Sequence, residues 1–181
     1  MCTEIDTKVI DPEFAFYGPM GFDLGALIAN LIMNYLSQDG HEKSKGDRLD
    51  YKEWILQIID ETWNKFEIKF IELWKSNQKG DAYTINFFEN DKEKFLTEQK
   101  KYLSYLFNDS IGFAGAKIIR RIFGFAHNID FDWIEEDKKR AVCEIKSAIL
   151  GIEMVLNAKS FTKIETLTSR LKIFDKHKID F

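Results

Sequence analysis

The sequence predicts a mainly α-helical domain entered through one short β-strand. Three observations predict it. Apolar residues recur at three- and four-residue spacing from Leu24 almost to the C-terminus, the period of one helix face. Both prolines, Pro12 and Pro19, lie near the start, so no proline interrupts the chain beyond them. A β-branched run, Thr7, Val9 and Ile10, precedes them and favours a strand.

The strand comes first. Pro12 fixes its own φ and drives Asp11 out of the helical region, so Asp11 is expected to be extended at a strand end. Residues two apart in a strand share a side, which lets Asp11 and Glu13 converge. Two converging hard oxygen donors are what a Mg²⁺ ion shared with phosphate oxygens needs. The plainer alternative is a turn acid followed by a surface acid. Phe14, Phe16, Tyr17, Met20 and Phe22 then form an apolar run that is costly to leave in water, either a packed loop or the wall of a site.

Asp23 is a good N-cap for the first helix, in which Leu27, Ile28, Leu31, Ile32, Tyr35 and Leu36 repeat at helical spacing up to Asp39-Gly40. His41 reads as a solvated loop residue. A second helix is expected from about Leu49 to Lys75, with Trp54, Ile55, Ile58, Ile59, Trp63, Phe66, Phe70, Ile71 and Trp74 on its apolar side. Tryptophans at this spacing read as core or dimer contact, not as a sugar platform. Residues Asn86 to Asp91 are expected to form an insertion anchored by Phe87 and Phe88. A third helix is expected over Lys92 to Phe107. A fourth, capped by Asp109 or Ser110, carries the small residues Gly112, Ala114, Gly115 and Ala116 and then Arg120 and Arg121. Adjacent helical residues diverge by about 100°, so the two arginines cannot share one role; the residues alone favour a buried structural arginine, with one of the pair on a carboxylate or a second subunit. His127 comes next, as a residue facing the helix C-terminus. A fifth helix, about Glu135 to Asn157, has Ala141, Val142, Ile145, Ala148, Ile149, Ile152 and Leu156 as its stripe. A last helix covers about Ile164 to Lys176.

The run DPEFAFYGPMGFDLG, from Asp11 to Gly25, closely resembles the segment that succeeds the catalytic loop of S-methyl-5-thioribose kinases. Those enzymes belong to the aminoglycoside-phosphotransferase-like branch of the protein-kinase fold. The resemblance continues through Asp39-Gly40-His41, Ile118-Ile119-Arg120-Arg121 and Ala126-His127, and so covers most of the chain. It implies the helical C-terminal lobe of a kinase-like fold, a single domain over 1–181. Residues 1–22 would be the strand and metal-binding loop, and residues 23–181 the helical subdomain. It also implies that Asp11, Pro12 and Glu13 contact the nucleotide, with Asp11 and Glu13 holding Mg²⁺ across the phosphates of ATP. Asp23 would brace the catalytic loop. Arg120 and Arg121 would hold thioribose hydroxyls or the phosphoryl group, a task for a planar, permanently charged fork. The catalytic loop with its aspartate and the glycine-rich loop with its lysine are not in this sequence. The chain is therefore expected to be a C-terminal fragment, inactive alone, of a homodimeric cytoplasmic enzyme acting on 5-methylthioribose in methionine salvage. The alternatives are a kinase for an aminoglycoside-like or choline-like acceptor and a non-catalytic helical interaction module.

Composition narrows the partners. A length of 181 residues suffices for a sizeable core. The net charge of −4 argues against nucleic acid or an anionic membrane as an electrostatic partner. Cys2 and Cys143 are too few for a disulfide scaffold, and Cys143 reads as a small buried hydrophobe. The longest apolar stretch, Leu24 to Leu36, is too short to span a bilayer, and Glu4 and Asp6 interrupt any signal-like start.

Overall fold

The computed structural model describes residues 3–6, 8, 16–79, 83–176 and 179. Among the described residues six α-helices succeed one another: α1 Gly21–His41, α2 Leu49–Ser76, α3 Lys92–Phe123, the single turn α4 Ile129–Asp132, α5 Asp137–Leu156 and α6 Ile164–Lys176. Short 3₁₀ turns lie at Ile85–Phe88 and Ala158–Ser160. No described residue is in a strand. The strand expected around Thr7 to Ile10, and the Asp11-Pro12-Glu13 motif, fall outside the described residues.

The centre of the fold is α3, with α1 on one side and α5 on the other. Both contacts are close because glycines lie in them. A Cβ on Gly25 would stand 2.5 Å from the Ser110 carbonyl oxygen, and one on Gly115 would stand 2.5 Å from that of Gly151. Around these crossings, Ile28, Ile32 and Leu36 of α1 meet Ile111, Ala114 and Ile118 of α3 in one core. Ile55 and Ile59 of α2, Leu150 and Met154 of α5, and Leu167 and Leu171 of α6 complete it.

Helix α1 begins at Gly21, with Met20 and not Asp23 at the N-cap position. The Phe22 amide donates to the Pro19 carbonyl at 3.0 Å, so the turn after the second proline has already wound into the helix. Asp23 is an exposed acid in the first turn, where the helix dipole favours a carboxylate. The helix also runs past Gly40. That glycine is not a C-cap; it leaves room for the Ile134 side chain, which a Cβ there would strike.

The break expected near Phe107 does not occur, and α3 is one helix of 32 residues. Leu103, Leu106, Phe107, Ser110, Ile111, Ala114 and Ile118 stay on the buried face through the supposed boundary. Ser110 caps nothing. Its hydroxyl donates back to the Leu106 carbonyl at 2.8 Å, the bond a buried serine makes inside a helix. The true N-cap is Asp91, whose carboxylate accepts from the Glu93 and Lys94 amides at 2.9 and 3.1 Å.

The α5 stripe, and one residue of the α2 stripe, sit differently from expectation. On α5 the buried face is Cys143, Lys146, Ser147, Leu150 and Met154, whereas Ile149, Ile152 and Leu156 are exposed. On α2 the buried set is Lys52, Ile55, Leu56, Ile59 and Trp63. Trp54 is outside, stacked on Tyr51 with ring centroids 5.5 Å apart. The C-terminal half of α2 carries an aromatic ladder onto α3. Trp74 meets Tyr102 edge-on at 5.4 Å and Phe95 at 6.2 Å. Phe88 tilts against Phe95 at 5.7 Å, so it anchors its loop as expected, while Phe87 stays exposed.

Candidate functional site

The chemistry expected of this chain divides between its N-terminal turn and the end of α3. Asp11, Pro12 and Glu13 lie outside the described residues. The turn just after them is pinned to α3 by a chain of rings. Phe16 meets Phe22 at 5.8 Å, and Phe22 meets Phe113 at 5.5 Å, both edge-on. Phe113 precedes Arg120 by two turns of the same helix. The apolar run is thus partly a packed loop, although Phe16, Tyr17, Met20 and Phe22 all remain substantially exposed.

At the far end of α3, Lys117, Arg120 and Arg121 occupy the last two turns. Neither arginine has a carboxylate partner among the described residues, so of the two partners expected for one of them, a carboxylate or a second subunit, no described carboxylate fills the place. Arg121 is half-buried, and its Nη1 donates to the carbonyls of Ala126 at 3.3 Å and His127 at 3.4 Å. It ties down the segment that leaves the helix. Arg120 is exposed and donates to nothing described. Burial, and then the positive charges of Arg121 and Arg120, hold the Lys117 ammonium below its usual range. The result is a local cationic end on an acidic chain. The sequence reading found the two arginines and missed Lys117, although its spacing of three and four residues from them was the available signal.

His41 is not the solvated loop residue expected. It ends α1, and its Nε2 lies 2.7 Å from the Asp130 carbonyl oxygen. The Asp130 carboxylate in turn accepts from Asn34 Nδ2 at 3.1 Å. The Asp39-Gly40-His41 stretch therefore meets the segment just after Ala126-His127, far away in sequence.

Next to His41 lies a cluster that sequence reasoning missed. Lys52 Nζ reaches Asp39 Oδ1 at 2.6 Å and also pairs with Asp175. Lys146 Nζ reaches Asp39 Oδ2 at 3.3 Å and the Asp175 carbonyl at 2.7 Å. Both lysines are nearly fully buried, and Lys52 stands 4.9 Å over the Tyr35 ring. Burial opposes the charge on Lys52, but its hydrogen bonds to Asp175 and Asp39 outweigh that and raise its pKa. Burial likewise opposes the charge on Asp39, and Lys52 and Lys146 outweigh it and lower its pKa. Burial and the carboxylates of Asp175, Glu53 and Asp39 push the Tyr35 hydroxyl far above its ordinary value. The cluster ties α1, α2, α5 and α6 together through buried charge.

No group of three or more metal-binding side chains occurs among the described residues. The donor set of Asp11 and Glu13, two carboxylates two residues apart, suits Mg²⁺ by its chemistry, because that ion takes one or two carboxylates together with substrate phosphates. No described helix is long and apolar enough to cross a membrane.

No family model matches the chain. Curated relatives do. Two methylthioribose kinases of Oryza sativa subsp. japonica are each 46% identical over 178 residues, which is 97% of this chain. The methylthioribose kinase of Escherichia coli is 36% identical over 173 residues, and that of Geobacillus kaustophilus 37% identical over 161. The chain belongs to the methylthioribose kinase family. It spans only 42% and 41% of the length of the two rice proteins and 41% of the E. coli protein. These shares are consistent with a C-terminal portion of the family's length. The resemblance first seen in Asp11 to Gly25 therefore extends over nearly all of this chain.

Proposed function

We propose that this chain is the substrate-side, C-terminal portion of an ATP-dependent S-methyl-5-thioribose kinase, which phosphorylates the 1-hydroxyl of 5-methylthioribose in methionine salvage. The observation that carries the reading is the cationic end of α3, whose arginines meet no carboxylate among the described residues, in a chain whose relatives are named methylthioribose kinase. Phosphoryl transfer develops negative charge on the group in flight, and it is catalysed almost entirely by positioning and electrostatics. Arg120, exposed and uncommitted, would engage the sugar hydroxyls or the phosphoryl oxygens. Arg121 would act beside it by fixing the segment at Ala126 and His127. Asp11 and Glu13 would hold Mg²⁺ with Pro12 setting their backbone, and Asp23 would brace the loop that carries the catalytic aspartate. ATP, when bound, supplies the γ-phosphoryl group.

The relatives favour a methylthioribose acceptor over an aminoglycoside or choline, because their names agree across plant and bacterial members. A homodimer in the cytoplasm belongs to the same reading. The 181-residue polypeptide assayed alone is expected to turn over little or no substrate, since most of its relatives' length lies outside the match. The test mixes this polypeptide with a separately expressed portion covering the rest of a relative's length and measures ATP-dependent phosphorylation of methylthioribose. Activity that needs both pieces and is abolished by Asp11→Asn supports the proposal. Two folded pieces without activity would refute it and leave a non-catalytic helical module.

A further inference from the structure

Helix α5 is apolar on two sides and covered on one. Its inner side, with Cys143, Leu150 and Met154, is buried in the core. On its outer side Val142, Ile145, Ile149, Ile152 and Leu156 recur at spacings of three and four residues. Of these, Ile149, Ile152 and Leu156 are exposed, and Val155 beside them is exposed as well. Gly151 of α5 lies against Ile119 of α3, and Phe123 follows Ile119 by one helical turn, so it extends the patch onto α3. Ile149, Ile152, Val155, Leu156 and Phe123 are 44–74% exposed. A helix that is hydrophobic all round is normally buried all round, and α5 is not.

Charge limits what can cover this patch. Between the buried Lys146 and Leu156 the only charged residue is Glu153, whose carboxylate accepts from Arg170 Nε at 2.9 and 3.1 Å. The patch therefore offers an ionic partner nothing to recognise. At these exposures its side chains present roughly 500 Å² of apolar area, close to the apolar share of the about 800 Å² that each partner buries in a standard interface. Alternating spacings of three and four residues are the a and d pattern of a heptad, which packs against a second helix of the same pattern. A copy of α5 is such a helix. Two copies related by a two-fold axis meet through the same patch twice, so a self-complementary seam needs no other partner.

We propose that the outer face of α5 is a homodimer interface, in which the α5 helices of two copies pack antiparallel about a two-fold axis between Ile149 and Ile152. Ile149 then faces Ile152 of the second copy, and Ile145 faces Leu156 of the second copy. In that register Glu144 faces Asn157 and Glu153 faces Ala148, so no like charges meet along the seam. The two helix dipoles also oppose each other. This surface gives the proposed kinase its homodimer, and in that sense it rests on the same reading. Particle mass and phosphorylation are separate readouts, so either can fail alone.

The test is analytical ultracentrifugation of the 181-residue protein, with variants at exposed positions that leave the core intact. The parent should sediment at twice the monomer mass at high micromolar concentration. Ile149→Lys and Ile152→Glu should each sediment as monomers, with self-association at least tenfold weaker, because each sets a charge against an isoleucine. Mixed in equal amounts, the two variants should recover the dimer, since the register sets the introduced charges against each other. Leu73→Glu, at a comparably exposed site on α2, should remain dimeric. Circular dichroism should show the parent's helicity in all three, which separates lost pairing from lost folding. A parent that sediments as a monomer overturns the proposal. So does a dimer that survives Ile149→Lys, or one that Leu73→Glu also dissolves. A mixture that stays monomeric refutes the antiparallel register.

Discussion

Replacing Lys52 with methionine tests the buried charge cluster most directly. Methionine preserves most of the lysine stem, so the cavity contribution is small and the charge is what disappears. Removing one partner of a fully buried ion pair costs about 3–5 kcal/mol, because the other charge is left uncompensated. The full figure does not apply here. The Lys52 side chain is 6% exposed and that of Asp175 20%, but that of Asp39 is 41% exposed and keeps Lys146 at 3.3 Å. The stranded charge is chiefly Asp175, which brings the expected cost to about 2–3 kcal/mol. In a domain of this size each kcal/mol moves Tm by about 2–4 °C, so Lys52→Met should melt roughly 5–10 °C lower at pH 7. The assay is a thermal melt followed by circular dichroism, run with Asp175→Leu and the double variant. The double variant should be less destabilised than the sum of the singles by about 1 kcal/mol or more. The pH dependence has a fixed sign. Lys52 has a raised pKa in the fold, so its contribution is complete below the ordinary lysine value of 10.5 and is lost as pH rises above it. Asp39 has a lowered pKa, so its contribution is present above 3.8 and is lost in stronger acid. A single variant that melts within about 2 °C of the parent, or strict additivity, would refute the reasoning.

Arg120→Ala should leave Tm within about 1 °C, because the side chain is exposed and bonds nothing described. Arg121→Ala breaks two long hydrogen bonds to carbonyls and should lower Tm by about 2–4 °C, near 1 kcal/mol. Equal Tm values for the two variants would contradict the assignment of Arg121 as the tether. Two glycines of α3 should respond with opposite signs. Gly112→Ala meets open space and should stabilise by about 0.5–1 kcal/mol through helix propensity. Gly115→Ala drives a methyl against the Gly151 carbonyl and should destabilise by about 1–3 kcal/mol in chemical denaturation. Burial, together with the Asp39 carboxylate, pushes the Cys143 thiol up to about 11. In a Cys2→Ser background a disulfide reagent at pH 8 should therefore label the protein only at its unfolding rate; fast labelling of native protein would count against the buried position.

How much was legible depended on what each element buries. Helix α6 begins and ends where its pattern placed it, at Ile164 and Lys176, because Leu167, Leu171 and Phe174 are an apolar stripe and nothing polar lies among them but Thr168. Helix α2 was found by its long run of Ile55, Ile59 and Trp63, although Lys52 is buried near its start. The reading failed where a polar residue occupies the core. On α5, Lys146 and Ser147 are buried, Ser147 by donating to the Cys143 carbonyl at 2.8 Å and Lys146 by its carboxylate and carbonyl acceptors. A pattern that counts apolar residues turns that helix toward Ile149 and Ile152, the residues that lie outside. Ser110 misled in the same way, since a serine after an aspartate looks like a cap until its hydroxyl is seen bonded within the helix.

The candidate site residues obey a similar rule. Asp11, Glu13 and the arginines stood out because they lie in a long unusual run or as an adjacent pair, which resemblance can carry without any geometry. The outer stripe of α5 carries no such mark. Its spacing reads as core, and only the burial of Cys143, Leu150 and Met154 on the other side of the helix makes it unusual. One uninterrupted helix, α3, carries the aromatic ladder at its start, the glycine crossings at its middle and the cationic end at its close.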